Sequence, residues 1–182
     1  MTSDQRQLLL KTIEGVVSGF MTDFRKAPLL WAQEIDLQAS LATKIRASIE
    51  TLEQGDFFSV HAPHSHFAKG KKPLYFCRTV CEPYVSIASE PAPMHPDIVV
   101  WDDGNDNGGI CLNSGLWPIL WACEIKYSYA RPGERNDDRL RLQRLAQDAD
   151  LMPNGRVCCL EFCLDVNTRK GEVHCWSPAP QR

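Results

Sequence analysis

No apolar run in this chain of 182 residues approaches the roughly 20 needed to cross a bilayer. Leu8, Leu9 and Leu10 are too few to form the apolar region of a secretory signal, so a soluble, cytoplasmic protein is expected. Glycine-rich phosphate loops are missing, as is the Gly-x-Ser-x-Gly elbow of serine hydrolases; a nucleotide cofactor and that form of nucleophilic catalysis are therefore not suggested. The chain lacks internal repeats, low-complexity tracts and any linker long enough to divide it, and one domain over residues 1–182 is expected. It also lacks a basic excess: the net charge of −3 argues against a large footprint on duplex nucleic acid, where binding is driven by neutralising phosphates. Cysteine is plentiful, at eight residues, but without the spacing of a zinc knuckle or redox pair, since three residues separate Cys77 from Cys81. Cys123, Cys158, Cys159 and Cys163 lie in apolar runs, where a reduced thiol acts as a small buried hydrophobe.

What is present is ordinary globular material, 43% hydrophobic and 24% charged, enough for a core without staples. Leu9, Ile13, Val16 or Val17 and Phe20 recur at helical spacing and predict an N-terminal helix over residues 4–20. The segment WAQEIDLQASLATKIRASIETLE has no Gly or Pro and predicts a second helix over about residues 30–52. FFSVHA, PLYFCRTV and EPYVSIAS read as short strands, and PHSHFAKGKKP as a loop with a basic stretch at residues 68–73. A third helix is predicted over residues 136–150, burying Leu142, Leu145, Ala146 and Ala149. RVCCLEFCLDV, the turn NTRKG and EVHCWS form a C-terminal hairpin reaching residue 176. Helices, strands, a helix and further strands in this order predict an α/β fold with a mixed central sheet flanked by helices.

The chemistry concentrates in PDIVVWDDGNDNGG and WPILWACEIKYS, an apolar strand running into a Gly/Asn/Asp turn and a strand returning from it. Side chains alternate along a strand, so Glu124 and Lys126 point one way and Ile125 the other, while Asp97 faces the pair across the hairpin. Two carboxylates and a lysine on neighbouring strands form a minimal divalent-metal site with a water-activating partner.

Pro96-Asp97 followed by Glu124-Ile125-Lys126 resembles the signature of the PD-(D/E)xK nuclease superfamily, over about residues 30–166. The resemblance implies a restriction-endonuclease-like fold and hydrolysis of phosphodiester bonds in nucleic acid, DNA in the first place, and it leaves a homodimer open. It further implies that Asp97, Glu124 and the Ile125 carbonyl ligate Mg²⁺ or Mn²⁺, and that Lys126 orients or deprotonates the attacking water. A lysine beside a metal ion is expected to have a depressed pKa. Many members of that superfamily carry a further glutamate on the helix before the sheet. At about 100° per residue, Glu34 falls on the stripe of Leu37, Leu41, Ile45, Ile49 and Leu52, whereas Glu50 falls on the opposite side. Glu34 is the candidate for a second metal or for positioning the nucleophile; as a residue near a helix start, it equally suits the helix dipole.

Rival patterns are weaker. Asp103 to Gly108 matches the opening of an EF-hand loop, but Ser114 stands where the bidentate glutamate is due and the flanks read as strands. His61, His64 and His66 do not have the spacing of a zinc finger. The alternative from another class is a non-catalytic module that keeps the fold to grip nucleic acid or a protein, which the acidic net charge favours and the co-occurrence of Asp97, Glu124 and Lys126 disfavours.

Overall fold

The computed structural model describes residues 3–54, 77–81, 85, 93–102, 119–128 and 136–178. The expected strand FFSVHA, the basic stretch at 68–73, the histidines 61, 64 and 66, the EF-hand-like loop and its Ser114 all lie outside them. Among the described residues no helix is long and apolar enough to cross a membrane.

Helix α1, Ser3–Lys26, is longer than the periodicity predicts because the buried stripe of Leu9, Leu10, Ile13, Val17 and Phe20 continues to Phe24. Pro28 then opens a short 3-10 turn, Pro28–Leu30, and Ala27 before it takes a non-helical conformation, as the residue preceding a proline tends to do. Helix α2 is Glu34–Gln54, starting four residues later than expected. The Asp36 carboxylate reaches back to accept the N–H groups of Ala32 and Gln33, both at 3.0 Å, closing the first turn in the manner of a capping box and leaving residues 31–33 outside the helix. Glu34 is thereby the first helical residue.

Strands β1 (Cys77–Cys81), β2 (Ile98–Asp102), β3 (Ile119–Ser128), β4 (Arg156–Asp165) and β5 (Lys170–Trp176) form a sheet in sequential order. All neighbours are antiparallel except β3 and β4, which run parallel and are joined through helix α3, Asn136–Gln147. The result is an open, mixed α/β sheet. Parallel neighbours need such a crossover because a hairpin reverses direction.

Helices α1 and α2 cover one face. Their stripes meet Val100, Trp121, Cys123, Ile125, Leu160 and Phe162 in the larger apolar cluster. Edge-on ring contacts of Phe20 and Phe24 with Phe162, with centroids 5.7 and 4.9 Å apart, fix its centre. The other face packs Val99, Ala122, Val157 and Cys159 against Leu142 and Leu145 of α3. A register shift between Val100 and Trp101 skips Leu120, so Leu120 and Trp121 both enter the larger cluster before strict alternation resumes.

Helix α3 stops at Gln147, and Ala149, expected in the core, is exposed in the turn that follows. That turn is held against the start of β3, where Ile119 N–H donates to Leu151 O at 2.6 Å. Asn154 there adopts a left-handed backbone (φ 67°), and a side chain on Gly155 would lie 2.5 Å from Ile119 O, so β4 begins where only glycine fits.

Candidate functional site

The register between β2 and β3 ends at the pair Ile98 and Cys123, yet β3 runs on to Ser128 with β4 along its other side. Alternate N–H groups of this overhang, those of Ile125 and Tyr127, face the side that β2 has vacated. An N–H left unpaired inside a protein is costly, and here carboxylates replace the missing strand. Asp97 Oδ2 accepts from Ile125 N–H at 2.5 Å, and Glu34 Oε2 accepts from Tyr127 N–H at 3.0 Å. Gln38, one turn beyond Glu34, donates its amide to Asp97 O at 2.8 Å, and the Tyr127 hydroxyl donates to Trp31 O at 3.1 Å. The start of α2, the start of β2 and the end of β3 are thus laced together.

Alternation places Ile125 in the core beneath α1 and α2, and places Glu124 and Lys126 on the α3 face. The Lys126 amine, with its side chain 17% exposed, lies 3.5 Å from Glu124 Oε2, 3.6 Å from Asp138 Oδ2 and 3.8 Å from Glu34 Oε1. Asp97 completes the group through hydrogen-bonding contact with the Glu124 carboxyl. The four side chains singled out in the sequence therefore converge, with the Ile125 backbone between them. Because the N–H and carbonyl of one strand residue point to the same side, the Ile125 carbonyl faces the edge at which Asp97 sits.

Negative charge is in excess. Burial, followed by the neighbouring Asp97 charge, pushes the Glu124 carboxyl up to about 8 against the pull of Lys126. Burial alone would lower the Lys126 amine, but Glu124, Asp97, Glu34 and Asp138 outweigh it and hold the amine above its ordinary value. The expected depression of Lys126 rests on the charge of a bound metal ion and is separate from this shift, which the four carboxylates set.

Three charged partners escaped the sequence reading. Asp138 and Arg139 lie in the first turn of α3, where acidic residues read as complements of the helix dipole. Glu161 of β4 stands beside Lys126 in the parallel register, almost fully buried, and receives a hydrogen bond from Arg139 at 2.6 Å. Only the crossover between β3 and β4 brings these residues together, and short-range periodicity does not encode it.

Among the described residues the buried thiols offer no competing chemistry. Cys123, Cys158, Cys159 and Cys163 are unpaired and buried, and burial pushes Cys159 up to about 12. Such thiols are poor nucleophiles at neutral pH. The side chains of Cys77 and Cys81 lie outside the described residues.

Among the described residues no set of three or more His, Cys, Asp and Glu side chains stands ready as a metal cage. Glu34 in particular is engaged by Tyr127 N–H and Lys126. A smaller donor set is nevertheless compatible with Mg²⁺, which keeps several waters and is commonly held by one or two carboxylates. Asp97 and Glu124 supply two hard-oxygen donors in contact, and the elevation of Glu124, set first by burial and then by the Asp97 charge, is of the kind that a bound cation would offset. Comparison with protein-family models, with characterised proteins and with solved structures finds no match.

Proposed function

We propose that this protein is a metal-dependent nuclease, hydrolysing phosphodiester bonds in nucleic acid, with DNA as the first substrate to test, on a restriction-endonuclease-like arrangement of its sheet and helices. The observation that carries this reading is the convergence of Glu34, Asp97, Glu124 and Lys126 at the point where β2 stops and β3 continues. Asp97 and Glu124, with the Ile125 carbonyl, would hold Mg²⁺ or Mn²⁺. Such an ion supplies charge neutralisation at a phosphate and lowers the pKa of a water.

The remaining work falls to the chain. Lys126, held as a cation by its carboxylate neighbours, donates hydrogen bonds to orient the attacking water and neutralises charge developing on the phosphate oxygens. Glu34 fixes the edge of β3 through Tyr127 and limits where the amine can reach. Arg141 and Arg144, exposed on α3, add positive charge on the same side of the sheet for a phosphate backbone.

A second reading is a non-catalytic binding module, favoured by the hydrogen bonds that commit Asp97 and Glu34 to closing the β3 edge. Plasmid and linear DNA incubated with Mg²⁺ or Mn²⁺ distinguish the two, with Lys126→Ala and Asp97→Ala run in parallel. Turnover by the parent that is lost in both folded variants supports the nuclease. Equal cleavage by parent and variants assigns the activity to a contaminant, and DNA binding without cleavage selects the module.

A further inference from the structure

The amine of Lys126 has three carboxylate partners at nearly equal distance, and they do not have equal prospects. Glu124 belongs to the proposed cation-holding pair, and Glu34 is bound to a backbone N–H. Asp138 alone comes from α3. It takes no part in closing the β3 edge and does not belong to the donor set. Arg141, one turn along the helix, also pairs with it.

Asp138 is held in place independently of the carboxylates it faces. Arg139, the next residue, ties the first turn of α3 to the buried Glu161 of β4, at the position beside Lys126 in the sheet register. Leu142 and Leu145, both fully buried, seat the next turns of the helix in the core. Lys126 and Glu161 on adjacent strands thus face Asp138 and Arg139 on the helix, each acid opposite a base. The first turn of α3 is pinned as a unit.

We infer that Asp138 is the positioning residue for Lys126: it retains the amine in one place once Glu124 turns to a divalent ion. This rests on the nuclease reading given above and adds to it a residue that the PD and ExK segments do not contain. Lys126 is the group that meets the substrate, and Asp138 acts through it. When the cation is bound, the carboxylate competition around the amine falls, and Asp138 becomes its principal partner on the α3 face.

A double-mutant cycle in the full chain tests this without relying on turnover. The parent, Asp138→Asn, Lys126→Met and the double variant are unfolded by denaturant in EDTA and again in saturating Mg²⁺. Coupling between the two positions is expected to rise with Mg²⁺ by about fivefold in the unfolding equilibrium constant, within the range of measured pair couplings. In cleavage assays Asp138→Asn is expected to lose on the order of 10²-fold in kcat with KM little changed, as for a displaced catalytic group. Asp138→Glu, which keeps the charge, should recover part of that loss. Coupling that is equal or weaker in Mg²⁺, in a parent that Mg²⁺ visibly stabilises, overturns the role of Asp138 and leaves the metal site standing. A parent that Mg²⁺ does not stabilise overturns both.

Discussion

On the face covered by α1 and α2, β3 presents Trp121, Cys123, Ile125 and Tyr127 to a layer of leucines, isoleucines and phenylalanines. On the face covered by α3, the same strand presents Ala122, Glu124 and Lys126, and the helix above answers with Leu142 and Leu145 but also with Asp138 and Arg139. One strand therefore separates two tasks by the period of its side chains. The apolar face concentrates burial and fixes where the backbone of Glu124 to Tyr127 lies. The mixed face accepts the cost of burying and clustering acids, visible in the displaced Glu124 carboxyl. Packing on one side holds in register the charged groups that repel one another on the other.

The sharpest way to break this division is Phe24→Ala. Phe24 is fully buried against Trp31, Tyr127 and Phe162, and its loss is expected to cost about 3–5 kcal/mol in denaturant unfolding. If the two faces do separate stability from chemistry, whatever remains folded should still respond to Mg²⁺. On the opposite face, Lys126→Met should reduce DNA cleavage by about 10²–10³-fold in kcat while far-UV circular dichroism stays unchanged, which is the usual size for removing one group that stabilises a transition state. A large loss of folded protein in that variant would instead make Lys126 part of the scaffold.

A smaller effect is expected at Gly171 in β5. A methyl group there would lie 2.7 Å from Phe24 and 2.8 Å from Pro28, so Gly171→Ala should destabilise the apolar face by about 1–3 kcal/mol, read as a shifted unfolding midpoint.

The effect most diagnostic of the mixed face is a slope with pH. Glu124 titrates at about 8 in the fold against an ordinary 4.5, so between these values the folded chain retains a proton that the unfolded chain has released. Stability measured in EDTA should therefore fall as pH rises from about 5 to 8, the reverse of the usual carboxylate, and level off above that window. Glu124→Gln should flatten this slope.

Much of this arrangement was legible before the structure. Alternation along CEIKYS is a property of any extended chain, and the apolar stripes of α1 and α2 follow from a period of 3.6. Where such periodic rules failed, a specific contact had intervened. The start of α2 moved because Asp36 folds back on Ala32 and Gln33, and Ala149 left the core because the chain turns at Gln147 to dock against β3. Asp138, Arg139 and Glu161 were illegible for a related reason. Their proximity to Lys126 follows from the parallel pairing of β3 with β4, separated in the chain by a whole helix.

The brevity of β2 has a last consequence. Had that strand begun four residues earlier, its own carbonyls would have zipped onto Ile125 and Tyr127, and the acids now at that seam would have been evicted to open water. The ragged hem of the sheet is what gives Asp97 and Glu34 a reason to stay. Lengthening the strand, rather than altering any acid or amine, would be the quietest way to dismantle the site.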